Sequence, residues 1–268
     1  MNGPALPRNT LANFTGWCRV LVRRPRASLP PPGVADAAAI VLILIASVAS
    51  MFLLDAAASD WARQVPTWFF DAFDRITDFG LSGWFLFPFG FMLLVLAAVT
   101  SPTLPRFTQD VLGALAVRFG FLFLAIGVPG LFVTIVKRLI GRARPFVGGH
   151  DDPFAYLPFI WRPEYASMPS GHATTAASAA IAIGVIWPRA RGIMWVYALV
   201  IMFSRVVVLA HYPSDVIAGA LVGGGGALLV RRWFAARRLM FSSTDLRPYP
   251  GPSLKRIKAA AREIVHGR

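Results

Sequence analysis

His211 and Asp215 stand four residues apart in a chain with only four histidines, and this spacing is the first sign of chemistry. If both lie on the opening turn of a helix they share one face, and Pro213 between them suits such a start. A carboxylate on one imidazole nitrogen fixes the tautomer, leaves the other nitrogen free to attack and stabilises the imidazolium that forms. The pair therefore reads as a nucleophile with its orienting group. A second segment, Pro169-Ser170-Gly171-His172, looks like a helix start. Ser is a favoured cap, Gly lets the backbone approach a ligand, and the first helical amides bind anionic oxygens. His172, one position inside, points at the same spot. Lys137, Arg144 and Arg205 add three fixed cations that suit a dianionic phosphate, with Arg144 able to grip two oxygens at once. No cluster of carboxylates is spaced to hold a metal, and the cations neutralise charge that a metal would handle elsewhere, so neither metal nor cofactor is expected. The single cysteine, Cys18, can form neither an intramolecular disulfide nor a thiolate cluster and reads as an inert thiol.

Composition restricts the frame that can position these groups. Of 268 residues, 56% are hydrophobic and only 15% charged, and the mean hydropathy is +0.59. Soluble domains carry about a quarter charged residues, so the balance points to a membrane protein. Six apolar stretches, near 34–54, 81–99, 111–136, 172–187, 192–209 and 213–230, come close to the roughly 20 residues that cross a bilayer. The fourth and sixth are short and rich in Ala and Gly, which lets helix backbones pack closely where lipid provides no hydrophobic drive. The run Gly223–Gly226 is accordingly a packing feature and not a phosphate loop: no strand precedes it and no Lys-Ser/Thr follows. The expected fold is all-α, an integral membrane bundle of six transmembrane helices with the active site at the outer membrane interface. It divides into a basic tail over 1–33, a six-span domain over 34–230 and a second basic tail over 231–268.

Charge placement orients the bundle. Arg8, Arg19, Arg23, Arg24 and Arg26 precede the first span, and Arg231, Arg232, Arg237 and Arg238 follow the last, so both ends are expected in the cytoplasm. The net charge of +14 therefore faces anionic lipid headgroups and not nucleic acid, because basic clusters sit on both sides of the membrane. The outward loop over 55–80 is acidic, with Asp55, Asp60, Asp71, Asp74 and Asp78. Its Trp61, Val65, Trp68, Phe69, Phe73 and Ile76 recur at helical spacing, as in a helix lying in the interface or a plain connecting helix. Lys137, Arg138, Arg142, Arg144 and Arg162 break the rule on the outward side, and an anionic substrate is the simplest reason for cations held there. Between the motifs, Phe154, Tyr156, Phe159, Trp161 and Tyr165 in the segment 150–168 suit either a headgroup entrance or an aromatic belt.

The three segments together resemble the type 2 phosphatidic acid phosphatase superfamily, which includes membrane lipid phosphate phosphatases and the soluble vanadium-dependent haloperoxidases. The family pattern is Lys, six residues, Arg-Pro; Pro-Ser-Gly-His; and Ser-Arg, five residues, His, three residues, Asp, and the stretch from Lys137 to Asp215 fulfils each. The resemblance implies metal-independent hydrolysis of a terminal phosphate from a membrane lipid. It assigns His211 as the nucleophile that forms a phosphohistidine, Asp215 as its partner, His172 as the acid that protonates the leaving oxygen, and Lys137, Arg144, Ser170, Gly171 and Arg205 as holders of the phosphoryl oxygens. The lipid is left open among phosphatidic acid, phosphatidylglycerophosphate, a polyprenyl diphosphate and lipid A phosphates. A lipid or anion transporter with a phosphate-binding gate is the alternative, although transport has no need of a His–Asp pair beside a second His. The expected location is a bacterial inner membrane with the site facing the periplasm, the expected partners are the lipid phosphate substrate and membrane lipids, and no obligate protein partner is evident.

Overall fold

The computed structural model describes residues 6–149 and 151–266, so the outermost residues of both basic tails and His150 lie outside the described residues. The described chain is helical throughout apart from loops and two isolated β-bridges. Ten α-helices follow in order: α1 (Leu6–Arg23), α2 (Val34–Leu53), α3 (Asp55–Arg63), α4 (Thr67–Thr77), α5 (Gly83–Val99), α6 (Arg106–Ile140), α7 (Gly171–Ile186), α8 (Arg191–Val207), α9 (Pro213–Ala236) and α10 (Leu254–His266). Five stretches are long and apolar enough to cross a membrane: α2, the run Thr67–Val99 that contains α4 and α5, α6, Pro188–Val207 and α9. The sixth expected span is α7, a shorter apolar helix of 16 residues. At 1.5 Å per residue, the 35 residues of α6 reach about 52 Å, well past a hydrocarbon layer of roughly 30 Å, so Lys137 stands near an end that leaves the apolar zone.

Two compact units can be distinguished. One is built from Pro31–Trp84 and Ala125–Leu229 and holds every motif residue. Within it α2 inverts the pattern of a soluble helix: Ser47 and Ser50 are its buried residues, while Val34, Leu42 and Phe52 are exposed, which is how a helix facing lipid is built. The core between α7 and α8 consists of Ala173, Ala176, Ala177 and Ala180 against Ala198, Ile201 and Met202. Small side chains let α9 approach α7 as well. A Cβ on Gly219 would collide with the carbonyl oxygen of Ser170, and one on Gly223 with that of Thr174, so these two glycines, one turn apart, set the distance at which α9 meets the start of α7. A Cβ on Gly226 would press on Pro129 of α6. The glycine run is thus a packing surface.

The second unit is built from the described residues up to Pro30, Phe85–Leu124 and the described residues from Val230 onward. Leu96, Leu112 and Ala116 form its core with Trp17, Met92 and Ile264 around them. Asn13 of α1 donates to the carbonyl oxygens of Ala97 and Thr100 at 2.9 and 2.8 Å, satisfying the last turn of α5. Thr108 and Glu263 tie α6 to α10.

The aromatic run over 61–76 forms two helices where the spacing predicts one. The chain leaves helical geometry after α3, and Pro66 caps α4, because proline has no amide to donate and suits a helix start.

Candidate active site

The site is assembled at the ends of α6, α7 and α9, with contributions from α3, α4 and α8. Ser170 is the N-cap of α7, accepting from the amide of Ala173 at 3.5 Å, and Gly171 is its first residue. The Ser170 amide donates to the carbonyl oxygen of Asp215 at 2.9 Å, which locks the start of α7 to the start of α9. Asp215 lies in the first turn of α9, whereas His211 lies outside it, two residues before Pro213. Its position is set instead by α8: the amides of Ala210 and His211 both donate to the carbonyl oxygen of Arg205, at 3.2 and 3.1 Å.

This shift changes how the histidine meets its carboxylate. His211 Nδ1 is 3.8 Å from Asp215 Oδ2, close enough for an ion pair and too far for a good hydrogen bond. Ser167 fills the gap, with its Oγ 3.4 Å from Nδ1 and donating to Asp215 Oδ2 at 2.5 Å. Because the Ser167 proton goes to the carboxylate, its lone pair is left to accept from Nδ1–H, and that tautomer presents a bare Nε2 on the far side of the ring. The Tyr212 amide also donates to Oδ2, at 2.9 Å. His211 is 4% exposed; burial lowers its pKa to about 4, with Asp215 working against the shift and Arg205 and Arg144 adding to it. The imidazole is therefore neutral at pH 7.

Asp215 is held from behind by a fully buried ion cluster that motif spacing did not reveal. Arg142 Nη1 donates to Asp215 Oδ1 at 2.6 Å and its Nη2 to Asp55 Oδ2 at 2.7 Å, all three side chains having no exposure. Arg142 also donates to Ser214 Oγ at 2.7 Å and through Nε and Nη2 to the carbonyl oxygen of Pro153. Asp55 accepts in turn from the Ser214 amide at 3.0 Å and its hydroxyl at 2.5 Å. Burial works against the Arg142 charge, but Asp215 and Asp55 outweigh it and hold the guanidinium pKa above its ordinary value. Two carboxylates share one guanidinium, so the cluster keeps one net negative charge behind His211. In the sequence Arg142 reads as one more basic residue of the loop and Asp55 as one acid of the 55–80 stretch. Only the fold brings them together across 87 residues.

The loop that carries Arg142 and Arg144 depends on one glycine. Gly141 ends α6 at φ +64°, and a Cβ there would strike the Leu157 carbonyl. The approach allows Leu157 N to donate to Gly141 O at 2.7 Å and Ala143 N to Ala155 O at 2.9 Å, pairing residues 141–143 with 155–157. Arg144 follows, its amide donating to Glu164 O at 2.8 Å.

Arg205 Nη1 donates to Thr77 Oγ1 at 2.6 Å, so α4 positions it. The Nε atoms of both Arg144 and Arg205 are buried with no hydrogen-bond acceptor among the described residues. Buried donors of this kind normally find partners, and an anion with several oxygens supplies them. His172 lies within electrostatic reach of Arg205, His211, Arg144 and Lys137. Among the described residues, no three His, Cys, Asp or Glu side chains are grouped to hold a metal ion. In the loop between α6 and α7, Phe154, Leu157, Phe159 and Trp161 are exposed, while Tyr156 lies 6.0 Å from the Arg142 guanidinium.

Comparison with known proteins places the chain in a family. The family model described as PAP2 superfamily matches residues 118–239. A lipid A 1-phosphatase from Rhizobium johnstonii is 32% identical over 90% of this chain and 97% of its own length, and one from Rhizobium etli is 34% identical over 82% and 93%. A phosphatidylglycerophosphatase B from Escherichia coli is 36% identical over 31% of this chain and 34% of its own. With apolar helices long enough to span a bilayer, the three motif segments joined at one site and this similarity along nearly its whole length, the chain is an integral membrane phosphatase of the PAP2 superfamily.

Proposed function

We propose that the protein removes a terminal phosphate from a membrane lipid through a phosphohistidine at His211, and that the lipid is a phosphorylated glycolipid of the lipid A type. The observation that carries the mechanism is a neutral, buried imidazole whose Nδ1 faces Ser167, itself donating to Asp215, beside two arginines with unpartnered buried donors. In the first step the Nε2 lone pair forms a bond to phosphorus while the bond from phosphorus to the lipid oxygen breaks. His172, which takes up a proton when the dianionic phosphate offsets the surrounding cations, gives that oxygen its proton, and the lipid leaves as the alcohol. Lys137, Arg144, Arg205 and the Ser170–Gly171 helix start hold the three phosphoryl oxygens, and the negative charge shared by Asp215, Arg142 and Asp55 offsets the charge that appears on the imidazole. In the second step His172 takes a proton from water as its oxygen attacks phosphorus. The P–N bond breaks, inorganic phosphate leaves and both histidines return to their starting states. The cycle uses no metal.

The lipid A assignment rests on extent of similarity. The two lipid A 1-phosphatases align along nearly their whole length, whereas the phosphatidylglycerophosphatase shares only a third of its own. The exposed Phe154, Leu157, Phe159 and Trp161 beside the site suit a substrate whose acyl chains stay in the bilayer. By charge asymmetry the site faces the periplasm from an inner membrane, with 34–230 as the phosphatase domain and both basic tails in the cytoplasm.

Phosphate release by purified protein in detergent, with EDTA present, tests the reading across lipid A, phosphatidic acid, phosphatidylglycerophosphate and undecaprenyl diphosphate. The expected result is a kcat/KM for lipid A at least tenfold above the others, with inhibition by vanadate. Preference for another lipid overturns the substrate, and Mg²⁺-reversible loss in EDTA overturns the metal-free mechanism.

A further inference from the structure

The unit built from α1, the larger part of α5, the first half of α6 and the end of α9 contains a cavity of about 440 Å³ that shares no residue with the active site. Its lining is almost wholly apolar. Phe14, Trp17 and Leu21 of α1 form one wall, at the spacing of a single helix face, and Leu94 of α5 with Gly113 and Gly120 of α6 form the other. The volume falls in the range of roughly 300–1,000 Å³ typical of small-molecule sites. A methylene takes about the 30 Å³ that a water does in the liquid, so the cavity accommodates an extended alkyl segment on the order of fifteen carbons. Glycine creates this space: a Cβ on Gly113 or Gly120 would meet nothing within 4 Å.

The charge around the cavity selects the occupant. Arg24 stands exposed three residues after the lining residue Leu21, on the same side of α1, and its amide is held on the Val20 carbonyl oxygen at 3.2 Å; exposed Arg26 follows it. Arg237, next to the lining residue Leu239, is 2% exposed, and its Nε has no acceptor among the described residues. Burial lowers the Arg237 pKa, and the nearby charge of Arg26 lowers it further, so these cations crowd one another. Basic groups at the mouth of an apolar slot between membrane helices suit an anionic phospholipid: acyl chain inside, phosphate at the arginines.

We infer that this unit binds one anionic phospholipid as a fixed, non-substrate ligand, with an acyl chain between α1 and the α5–α6 pair and its headgroup phosphate on the arginines that follow the cavity wall. The role is independent of the catalytic reading, since no residue involved belongs to the active site.

Native mass spectrometry of the full-length protein, stripped of co-purifying lipid and titrated with phosphatidylglycerol or phosphatidylcholine of identical chains, tests the inference. Wild type should retain one phosphatidylglycerol per chain and hold phosphatidylcholine at least tenfold more weakly. Gly113→Leu and Gly120→Leu, which put side-chain volume into the space at positions where a Cβ meets nothing, should each weaken retention of phosphatidylglycerol at least tenfold. The double change Arg24→Gln with Arg26→Gln should reduce it to the level of phosphatidylcholine. Equal retention of the two lipids by wild type, or undiminished retention by a plugged variant with an unchanged unfolding temperature, overturns the proposal. So does a dimer that the plugged variants abolish, because the cavity would then receive a second copy of the chain. If one plugged variant fails to fold, the other and the comparison of lipids in wild type still decide.

Discussion

Replacing Asp55 with Asn tests whether the buried ion cluster serves the reaction or only the fold. Asp55 touches no group proposed to meet substrate, yet it takes half of the Arg142 guanidinium: Nη2 at 2.7 Å, while Nη1 goes to Asp215 at 2.6 Å. In wild type two carboxylates share one cation, and the surplus negative charge faces the imidazole. Asp55→Asn keeps shape and one acceptor but removes that surplus, leaving Arg142 and Asp215 a neutral pair. A hydrogen bond to a charged group contributes about 1.5–3 kcal/mol, which sets the scale of the lost stabilisation where charge develops on His211. At 1.36 kcal/mol per decade, kcat should fall roughly 10- to 150-fold. KM should change little, because the oxyanion-binding cations are untouched. Initial rates of phosphate release across substrate concentrations separate the two parameters, and an unfolding curve accounts for the stability that the altered pair also loses. A folded Asp55→Asn variant with wild-type kcat would falsify the link between the cluster and catalysis, and a rise in KM at unchanged kcat would move the role to substrate binding.

Two further outcomes follow from the same geometry. Since burial brings the His211 pKa down from 6.5 to about 4, the imidazole stays neutral and nucleophilic as pH falls; kcat/KM should hold from pH 7 to 5 and collapse only near 4, whereas half-loss at pH 6.5 in a rate profile would show an ordinary, solvated histidine. If His172 protonates the leaving oxygen, His172→Ala should cost at least a hundredfold on a lipid alcohol leaving group and clearly less on p-nitrophenyl phosphate, whose leaving group needs no proton; equal losses on both substrates contradict that assignment.

The six apolar helices were legible from sequence to within six residues at each end, because lipid demands long apolar runs and the motif prolines and glycines mark where those runs end, whereas α1 and α10 lie in stretches expected only as basic tails and α3 and α4 in one expected as a single helix. Ser170 at the cap of α7 and Gly219 and Gly223 against its backbone follow from local chemistry and small-residue packing. The relation of His211 to Asp215 was legible only in part. Four residues on a helix predict direct contact, but the Arg205 carbonyl holds His211 outside α9, and Ser167 is needed to bridge the gap. Ser167 sits two residues before Pro169, in reach of a reading that had asked what precedes the helix start. Asp55 and Arg142 had no such signal: an acid and a base 87 residues apart in polar stretches become fully buried partners only through tertiary packing.

A covalent intermediate on His211 can be trapped by rapid quenching. Lipid labelled with ³²P in the terminal phosphate, mixed with excess enzyme and stopped in alkali within milliseconds, should leave label on the protein that survives base, is released by acid as expected of a phosphoramidate, and maps to the peptide containing His211. The label should be absent from Asp215→Ala only to the extent that its rate falls, and from His211→Ala completely. Turnover by wild type with no protein-bound label at any time, or base-stable label in His211→Ala, would contradict the mechanism.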